Sequence, residues 1–305
     1  MLGENFGVVA EAARLDSAVA KAFGLSRQKA RQAILRGEVR LNGRSVRVFA
    51  REAKVGDKLS LAPAAAEHAA EATTLKLLFE DKDLVVIEKP AALLSERLPT
   101  EKGRAVLDVL AEQRIKGYLV HRLDAGTSGA MLVARTPEMA EHLSQAFRDK
   151  TVRKLYALLC SGGTPGVGAY DQPLGRDPLH PRRFAIRHEG KASRTEYMTL
   201  AAKNDFAFAV AAPITGRTHQ IRVHFASAGH PLLGDALYAG LRRHGSLLVH
   251  RPLLHAWRLQ FTHPRTRKAV EIVSPIPADF AAAATALELG PQFLTGPPPF
   301  GTFGG

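Results

Sequence analysis

Between Pro63 and Thr73 the chain carries alanine and glutamate with no apolar period. Such a stretch has no face to bury, so residues 63–73 read as a linker and the rest must fold in two parts. Residues 12–62 make a small unit, and residues 74–285 are long enough for a sizeable core. The far end, 286–305, runs through Gly290-Pro291 and Gly296-Pro297-Pro298-Pro299 to Gly304-Gly305. Sequence of that composition buries too little to fold, and a disordered tail is expected.

In the small unit, Leu15, Val19 and Phe23 recur at helical spacing and Gly24 follows as a stop. Ser26 can cap a second helix whose apolar side is Ala30, Ala33 and Ile34 and which ends at Gly37. Val39-Arg40-Leu41 and Ser45-Val46-Arg47-Val48 then flank Asn42-Gly43, a hairpin signal because both turn residues accept positive φ. The second helix carries Arg27, Lys29, Arg31 and Arg36 with no acid between the first and the last. Like charges four residues apart repel, and a phosphate backbone laid across them would relieve that repulsion. These four are the candidate RNA-binding residues, against the plainer reading of a solvated helix face. The order Arg14-Leu15-Asp16, Ser26-Arg27 and Gly37-Glu38-Val39-Arg40-Leu41-Asn42-Gly43 also resembles the S-four RNA-binding domain.

Lys and Arg total 42 against 29 Asp and Glu, a formal net charge of +13. An excess of this sign fits a polyanionic partner as well as it fits a merely basic protein. No apolar run approaches the ~18 residues that span a bilayer. Met1 to Ala10 has no basic region followed by an apolar core, so neither a membrane partner nor a secretory signal is expected. The single cysteine, Cys160, ends the apolar run Tyr156-Ala157-Leu158-Leu159-Cys160 and reads as a core residue of a cytoplasmic protein.

After the linker, Lys76 to Glu80 and Leu84 to Glu88 read as short strands, as do Tyr118 to Val120 and Ala130 to Ala134. Thr136-Pro137-Glu138 opens a helix with a cap, a proline at the first helical position and an early acid, and Met139, Leu143 and Phe147 form its buried stripe. Strands and helices mixed without strict alternation predict an α+β catalytic domain with a mixed, mostly antiparallel sheet, preceded by the small αα-β unit.

Chemistry-bearing residues collect in two segments. His121-Arg122-Leu123-Asp124-Ala125-Gly126-Thr127-Ser128-Gly129 joins two predicted strands. Read locally it is a turn, with Asp124 bonding the amides that follow. Thr215 to Pro231 concentrates Arg217, His219, Gln220, Arg222 and His224. Thr218 and Gly229 can bound a helix there, while the alternation from Gln220 to Phe225 also suits a strand. Either way the density suits an anion site or the partner of a buried carboxylate.

Four blocks in order are similar to the RluA-type pseudouridine synthases. They are Phe79-Glu80-Asp81 to Lys89-Pro90, His121-Arg122-Leu123-Asp124 with Thr127-Ser128-Gly129, Lys154-Leu155-Tyr156-Ala157-Leu158, and Gly216 to Tyr238 with Gly234-Asp235. The resemblance spans about residues 75–280. It departs after Lys89-Pro90, where the family usually continues with glycine and a short His-Pro stretch and this chain has Ala91 to Arg97. It departs again at Ala125-Gly126, where an Arg-Asp pair is common.

The resemblance implies an isomerase that acts on uridine in structured RNA, with large-subunit ribosomal RNA preferred and transfer RNA as the second candidate. Asp124 would be the catalytic carboxylate, Arg222 its partner, and Tyr156 the ring that stacks on uracil. Arg122 would fill the gap left by the flipped nucleotide. His121, Thr127, Arg217, His219 and Gln220 complete the expected substrate contacts. Such a reaction needs no cofactor and no metal. His219, His224, His230, His250, His255 and His263 lack the short paired spacing of a metal loop. A monomer is expected. A non-catalytic RNA-binding protein would need only the small unit, and a methyltransferase would want a G-x-G-x-x-G loop, which the sequence does not contain.

Overall fold

The computed structural model describes residues 5–36, 38–46, 48–61, 74–97, 103–238, 240, 243–245 and 247–290. The expected linker, the helix stop at Gly37 and residues 291–305 of the expected tail lie outside them. The chain divides into two compact units, residues 1–71 and 72–305.

In the first unit, α1 (Leu15–Phe23) ends where Gly24 takes φ 63 and its N–H bonds the carbonyl of Ala20. The Ser26 hydroxyl accepts from the Lys29 amide at 3.3 Å and opens α2 (Arg27–Arg36). Ala30, Ala33 and Ile34 are buried against Leu15 and Val19. Strands β1 (Asn5–Val8), β6 (Lys58–Leu61), β3 (Val39–Leu41) and β4 (Arg44–Ser45) form an antiparallel sheet in that order. Asn42 and Gly43 take φ of 53 and 78 between β3 and β4, so both adopt the left-handed backbone that hairpin turns favour. The second hairpin strand stops at Ser45, short of the expected Val48.

The charge on α2 is not unopposed. Asp16, fully buried on α1, accepts from Arg31 at 2.6 Å, Arg27 at 3.2 Å and Arg14 at 3.3 Å. Burial works against its ionised form, but the bonds from Arg31, Arg14 and Arg27 outweigh that and hold the carboxyl well below its ordinary range. The expected repulsion between Arg27 and Arg31 is thus relieved from within. Three guanidinium groups around one carboxylate still leave an excess of two positive charges on a half-exposed face. Lys29 is exposed beside them, and the Arg36 side chain lies outside the described residues.

The second unit is built on a ten-stranded sheet. Its main path runs β12 (Val167–Tyr170), β15 (Thr195–Lys203), β16 (Phe206–Pro213), β11 (Arg153–Ser161), β19 (Leu254–Thr262), β10 (Ser128–Ala134), β8 (Leu84–Lys89) and β7 (Lys76–Glu80). Every neighbouring pair is antiparallel except β10 with β19, so the expected mixed, mostly antiparallel α+β domain is borne out. Alternation along β11 feeds two cores. Tyr156, Leu158 and Cys160 face one side with Ile221 and Phe225 of α5 (Gln220–Ser227). Leu155, Ala157 and Leu159 face the other with Phe280, Ala283 and Ala284 of α6 (Ala278–Ala286). Burial pushes the Cys160 thiol up to about 12, as suits a core residue. Leu287 and Leu289 are buried in the second core as well. The tail therefore cannot begin at 286; these leucines continue the apolar face of α6.

Candidate active site

Asp124 sits in the loop that feeds β10. The fold fixes this loop by close backbone approach: Gly129 takes φ 117, and a Cβ there would lie 2.3 Å from the Ala256 carbonyl oxygen of β19. Only glycine lets β10 and β19 meet at that point. Gly129 pairs with Ala256, which pairs on its other side with Tyr156, so the carboxylate loop and the tyrosine lie two strands apart at one level of the sheet.

The loop is clamped from the segment where the sequence leaves the family pattern. Ser95 Oγ donates to the Leu123 carbonyl at 2.6 Å and accepts from the Leu123 amide at 3.0 Å. The Ala92 amide donates to the Ala125 carbonyl at 2.7 Å, with Ala92 at φ 69. Thr127, buried, closes the turn through its amide on the Asp124 carbonyl at 2.9 Å. Beneath the turn Lys89 is fully buried and donates to the carbonyls of Pro90 and Leu93 at 2.9 Å and of Ala125 at 3.4 Å. Burial pulls its ammonium down to about 7; Arg251 acts the same way and Asp124 opposes.

The folded pKa of Lys89 lies below its unfolded value, so between about pH 7 and 9 the unfolded chain holds a proton that the folded chain has shed. Stability therefore rises with pH over that interval. Urea unfolding of wild-type protein and Lys89→Met at pH 7, 8 and 9 checks this: the variant is less stable throughout and its profile flatter. Lys154, lowered to about 8 by burial, contributes with the same sign at the upper end, so the contrast from pH 7 to 8 reports Lys89. An equally steep profile in the variant would place the titration elsewhere.

Facing Asp124 is Arg222 on α5. Its Nη1 donates to Asp124 Oδ2 at 3.1 Å, while Nε and Nη2 grip Asp235 at 2.7 and 2.9 Å. The guanidinium also lies over the Tyr238 ring, 5.1 Å from its centroid. Burial opposes the charge, but pairing with Asp235 and Asp124 raises the pKa of Arg222 above its ordinary value. One edge of the fork, Nε and Nη2, is spent on Asp235, and this fixes the plane of the guanidinium so that Nη1 is held against Asp124. Asp235 is the residue whose role the sequence reading lacked; its signal was that a buried arginine rarely stands on one half-exposed carboxylate.

The helix carrying Arg222 begins one residue later than expected. His219, not Thr218, is the N-cap, in left-handed backbone at φ 57 and with no side-chain cap bond. The strand alternative for Gln220 to Phe225 does not occur: the segment is helical, and Ile221 and Phe225 enter one core a turn apart. The Tyr238 hydroxyl accepts from the Phe184 amide and bonds His219 Nδ1 at 2.8 Å. The other ring nitrogen, Nε2, lies 3.9 Å from Asp124 Oδ2. Burial lowers the pKa of His219, with Asp124 opposing.

The candidates Asp124, Tyr156, Arg222, Arg122, His121, Thr127, Arg217, His219 and Gln220 all line one cavity of about 920 Å³. Two of them are not free to serve as substrate contacts through their expected groups. Gln220 is buried, its oxygen accepting from Thr215 Oγ1 and the Arg217 amide, its nitrogen donating to the Arg194 carbonyl and Thr195 Oγ1. His121 stacks on Phe147 at 4.5 Å, and its Nε2 accepts from the Leu132 amide at 2.9 Å. Burial, with Lys154 nearby, drops its pKa to about 3. Both are wall residues. Arg217 is exposed and donates to the Ala192 carbonyl. Arg122 is exposed and meets Glu96 at 3.2 Å, a surface pair worth ~0–1 kcal/mol and easily exchanged for another anion. Burial, reinforced by Asp124, pushes the Tyr156 phenol above its ordinary pKa, so it is a neutral hydroxyl. Arg27, Lys29 and Arg31 belong to the other unit. Elsewhere, Asp81, Asp83 and His263 converge as metal ligands could, but Arg265 grips Asp83 through two bonds of 2.6 Å and His263 meets Asp81 at 2.9 Å, an ordinary clasp.

Comparison with known proteins agrees with this geometry. Residues 83–227 match the family model described as RNA pseudouridylate synthase, and residues 13–59 match the S4 domain. An uncharacterized RNA pseudouridine synthase of Mycobacterium bovis is 38% identical over 293 residues, 90% of this chain and 94% of that protein. The ribosomal large subunit pseudouridine synthase D of Nitrosomonas europaea is 37% identical over 231 residues, 72% of this chain and 67% of that protein. Among solved structures, human RNA pseudouridylate synthase domain containing 4 superposes with a TM-score of 0.58 at 25% identity, covering 73% of this chain and 97% of that one. With three of its four sequence blocks lining one cavity and a relative this similar over nearly its full length, the chain belongs to the RluA-type RNA pseudouridine synthase family.

Proposed function

We propose that this enzyme converts a uridine of large-subunit ribosomal RNA to pseudouridine, with Asp124 attacking the sugar at C1′. The observation that carries the reading is the Arg222 fork, braced along one edge by Asp235 and donating from Nη1 to Asp124. A carboxylate so paired is held in one orientation, as a nucleophile in a closed pocket must be. The reaction balances without an added reagent: the N1–C1′ bond breaks, a C5–C1′ bond forms, C5 loses a proton and N1 gains one. No electron is gained or lost, so the chemistry calls for neither cofactor nor metal.

Tyr156, neutral and facing the cavity beside Asp124, supports a role as the platform on which the detached uracil turns. Arg122, weakly tied at the rim, is suited to enter the RNA stack when the base leaves it. Thr127, Arg217 and His219 are the remaining candidates for contact with the nucleotide. Arg27, Lys29 and Arg31, clustered with Arg14, support phosphate binding by the N-terminal S4 domain, with Arg36 on the same helix. One copy of the chain lines the whole cavity, which supports action as a monomer, and ribosomal RNA as substrate supports a cytoplasmic location. The name of the Nitrosomonas relative favours ribosomal over transfer RNA.

The test is tritium release from large-subunit ribosomal RNA transcribed with uridine labelled at C5, incubated with pure protein and no cofactor. Label is released because the new bond forms at C5. Release from transfer RNA transcripts instead would move the substrate to that class, and release from neither would sink the proposal.

A further inference from the structure

Lys154 has no task in the reaction as drawn. It precedes Tyr156 by two residues on β11, so both side chains leave the same face of the strand, ~7 Å apart along it. It lines the cavity with Asp124 and Tyr156, and also an adjoining hollow of about 280 Å³ shared with Lys150, Pro213 and Ile214. Among the described residues its ammonium has no hydrogen bond or ion pair; it lies 5.9 Å from the Phe147 ring centroid. A Cβ on Gly216 would stand 4.0 Å from its Nζ. Burial alone shifts its pKa, down to about 8, with no carboxylate acting against it.

A half-buried cation without a counter-charge is unfavourable unless something else gains by it. Lys89 shows the structural alternative within the same molecule: fully buried, it spends its protons on three carbonyls. Lys154 spends none, and a methionine would pack on Phe147 as well. An anion from outside the chain accounts for the charge. The base belongs at Asp124 and Tyr156, deeper along the strand, where the Arg222 fork points. Lys154 lies toward the start of β11, on the side where Arg148 and Lys150 line the cavity. A nucleotide drawn out of a duplex hangs between two phosphates, and those must pass the rim.

We propose that Lys154 binds a phosphate adjoining the target uridine and thereby sets how far the flipped nucleotide enters the cavity. The inference rests on the reading that this cavity receives a uridine of RNA. It assigns a nucleotide-anchoring role to a side chain outside the Asp124, Tyr156 and Arg222 set.

The experiment compares full-length wild-type protein, Lys154→Met and Lys154→Arg. Each acts on a C5-tritiated ribosomal RNA transcript, then on a synthetic RNA spanning the uridine modified in it. In one form of that RNA each adjoining phosphate in turn is a neutral methylphosphonate. Lys154→Met is expected to raise KM by about tenfold to a hundredfold, the worth of a charge-assisted bond, with a much smaller fall in kcat. Its KM should depend on salt less steeply, by about 0.7 in the log–log slope, and Lys154→Arg should recover most of the loss. One methylphosphonate should impair the wild type as the substitution does and should not impair Lys154→Met further. A merely structural lysine would leave the methylphosphonate penalty intact in Lys154→Met, and that result overturns the inference. So does a fall in kcat at unchanged KM, which would put the ammonium on the reacting base. If wild-type protein releases no tritium, the reading of the cavity fails first; if it turns over and Lys154→Met matches it, the anchor alone fails.

Discussion

Asp124→Asn protein is expected to form no pseudouridine while binding RNA within a few-fold of wild type. The substitution keeps the volume of the side chain and an oxygen to accept from Arg222 Nη1, now at 3.1 Å. Arg222 itself stays fixed, because its other two bonds go to Asp235, so the cavity should keep its shape. What is lost is the charged oxygen proposed to attack C1′. An amide is no nucleophile at neutral pH, and loss of a nucleophile costs on the order of 10⁴-fold or more in turnover. Removing a negative charge beside a polyanion slightly favours binding, so a large drop in affinity is not expected. Tritium release and filter binding on the same transcript separate the two effects. Turnover within a hundredfold of wild type would show that the reaction starts from another group.

The parts of this molecule that were legible in the sequence are those whose signal is local. Gly24 after α1, Ser26 before α2, Asn42-Gly43 and Thr136-Pro137 each act on backbone within a few residues, and each stands where the pattern placed it. Apolar periodicity found Met139 and Leu143 because the face they bury is written in their spacing. Partnership across the chain was not legible. Asp16 sits eleven and fifteen residues from the arginines it neutralises, so α2 read alone looks like uncompensated charge. Gln220 looks like a substrate contact until the fold surrounds it with Thr215, Arg217, Arg194 and Thr195. The parallel pairing of β10 with β19, which brings Gly129 against Ala256 from 127 positions away, has no local mark except the glycine itself. Asp124, Tyr156 and Arg222 were found through family resemblance, since an aspartate in a turn, a tyrosine in a strand and an arginine in a helix are each ordinary alone.

Arg222→Ala is expected to lose both activity and stability, and a second substitution should restore only one of them. Arg222 and Asp235 are buried and joined by two short bonds. Removing the arginine leaves Asp235 enclosed without its partner, at a cost of ~3–5 kcal/mol. Replacing both by apolar residues of similar size, as in Arg222→Met with Asp235→Leu, removes the uncompensated charge and should recover most of that loss. Activity should not follow. Asp124 is left without the donor that aims it, and misdirected catalytic electrostatics of this kind lower turnover by ~10²–10³-fold. Asp235→Asn should fall between, since Arg222 keeps one acceptor and gains freedom to leave Asp124. Urea unfolding and tritium release on the four proteins give the two axes independently. If the double variant regains turnover along with stability, Arg222 is a packing residue and the carboxylate needs no partner; if Arg222→Ala unfolds like wild type, the fork is not the brace that the distances imply.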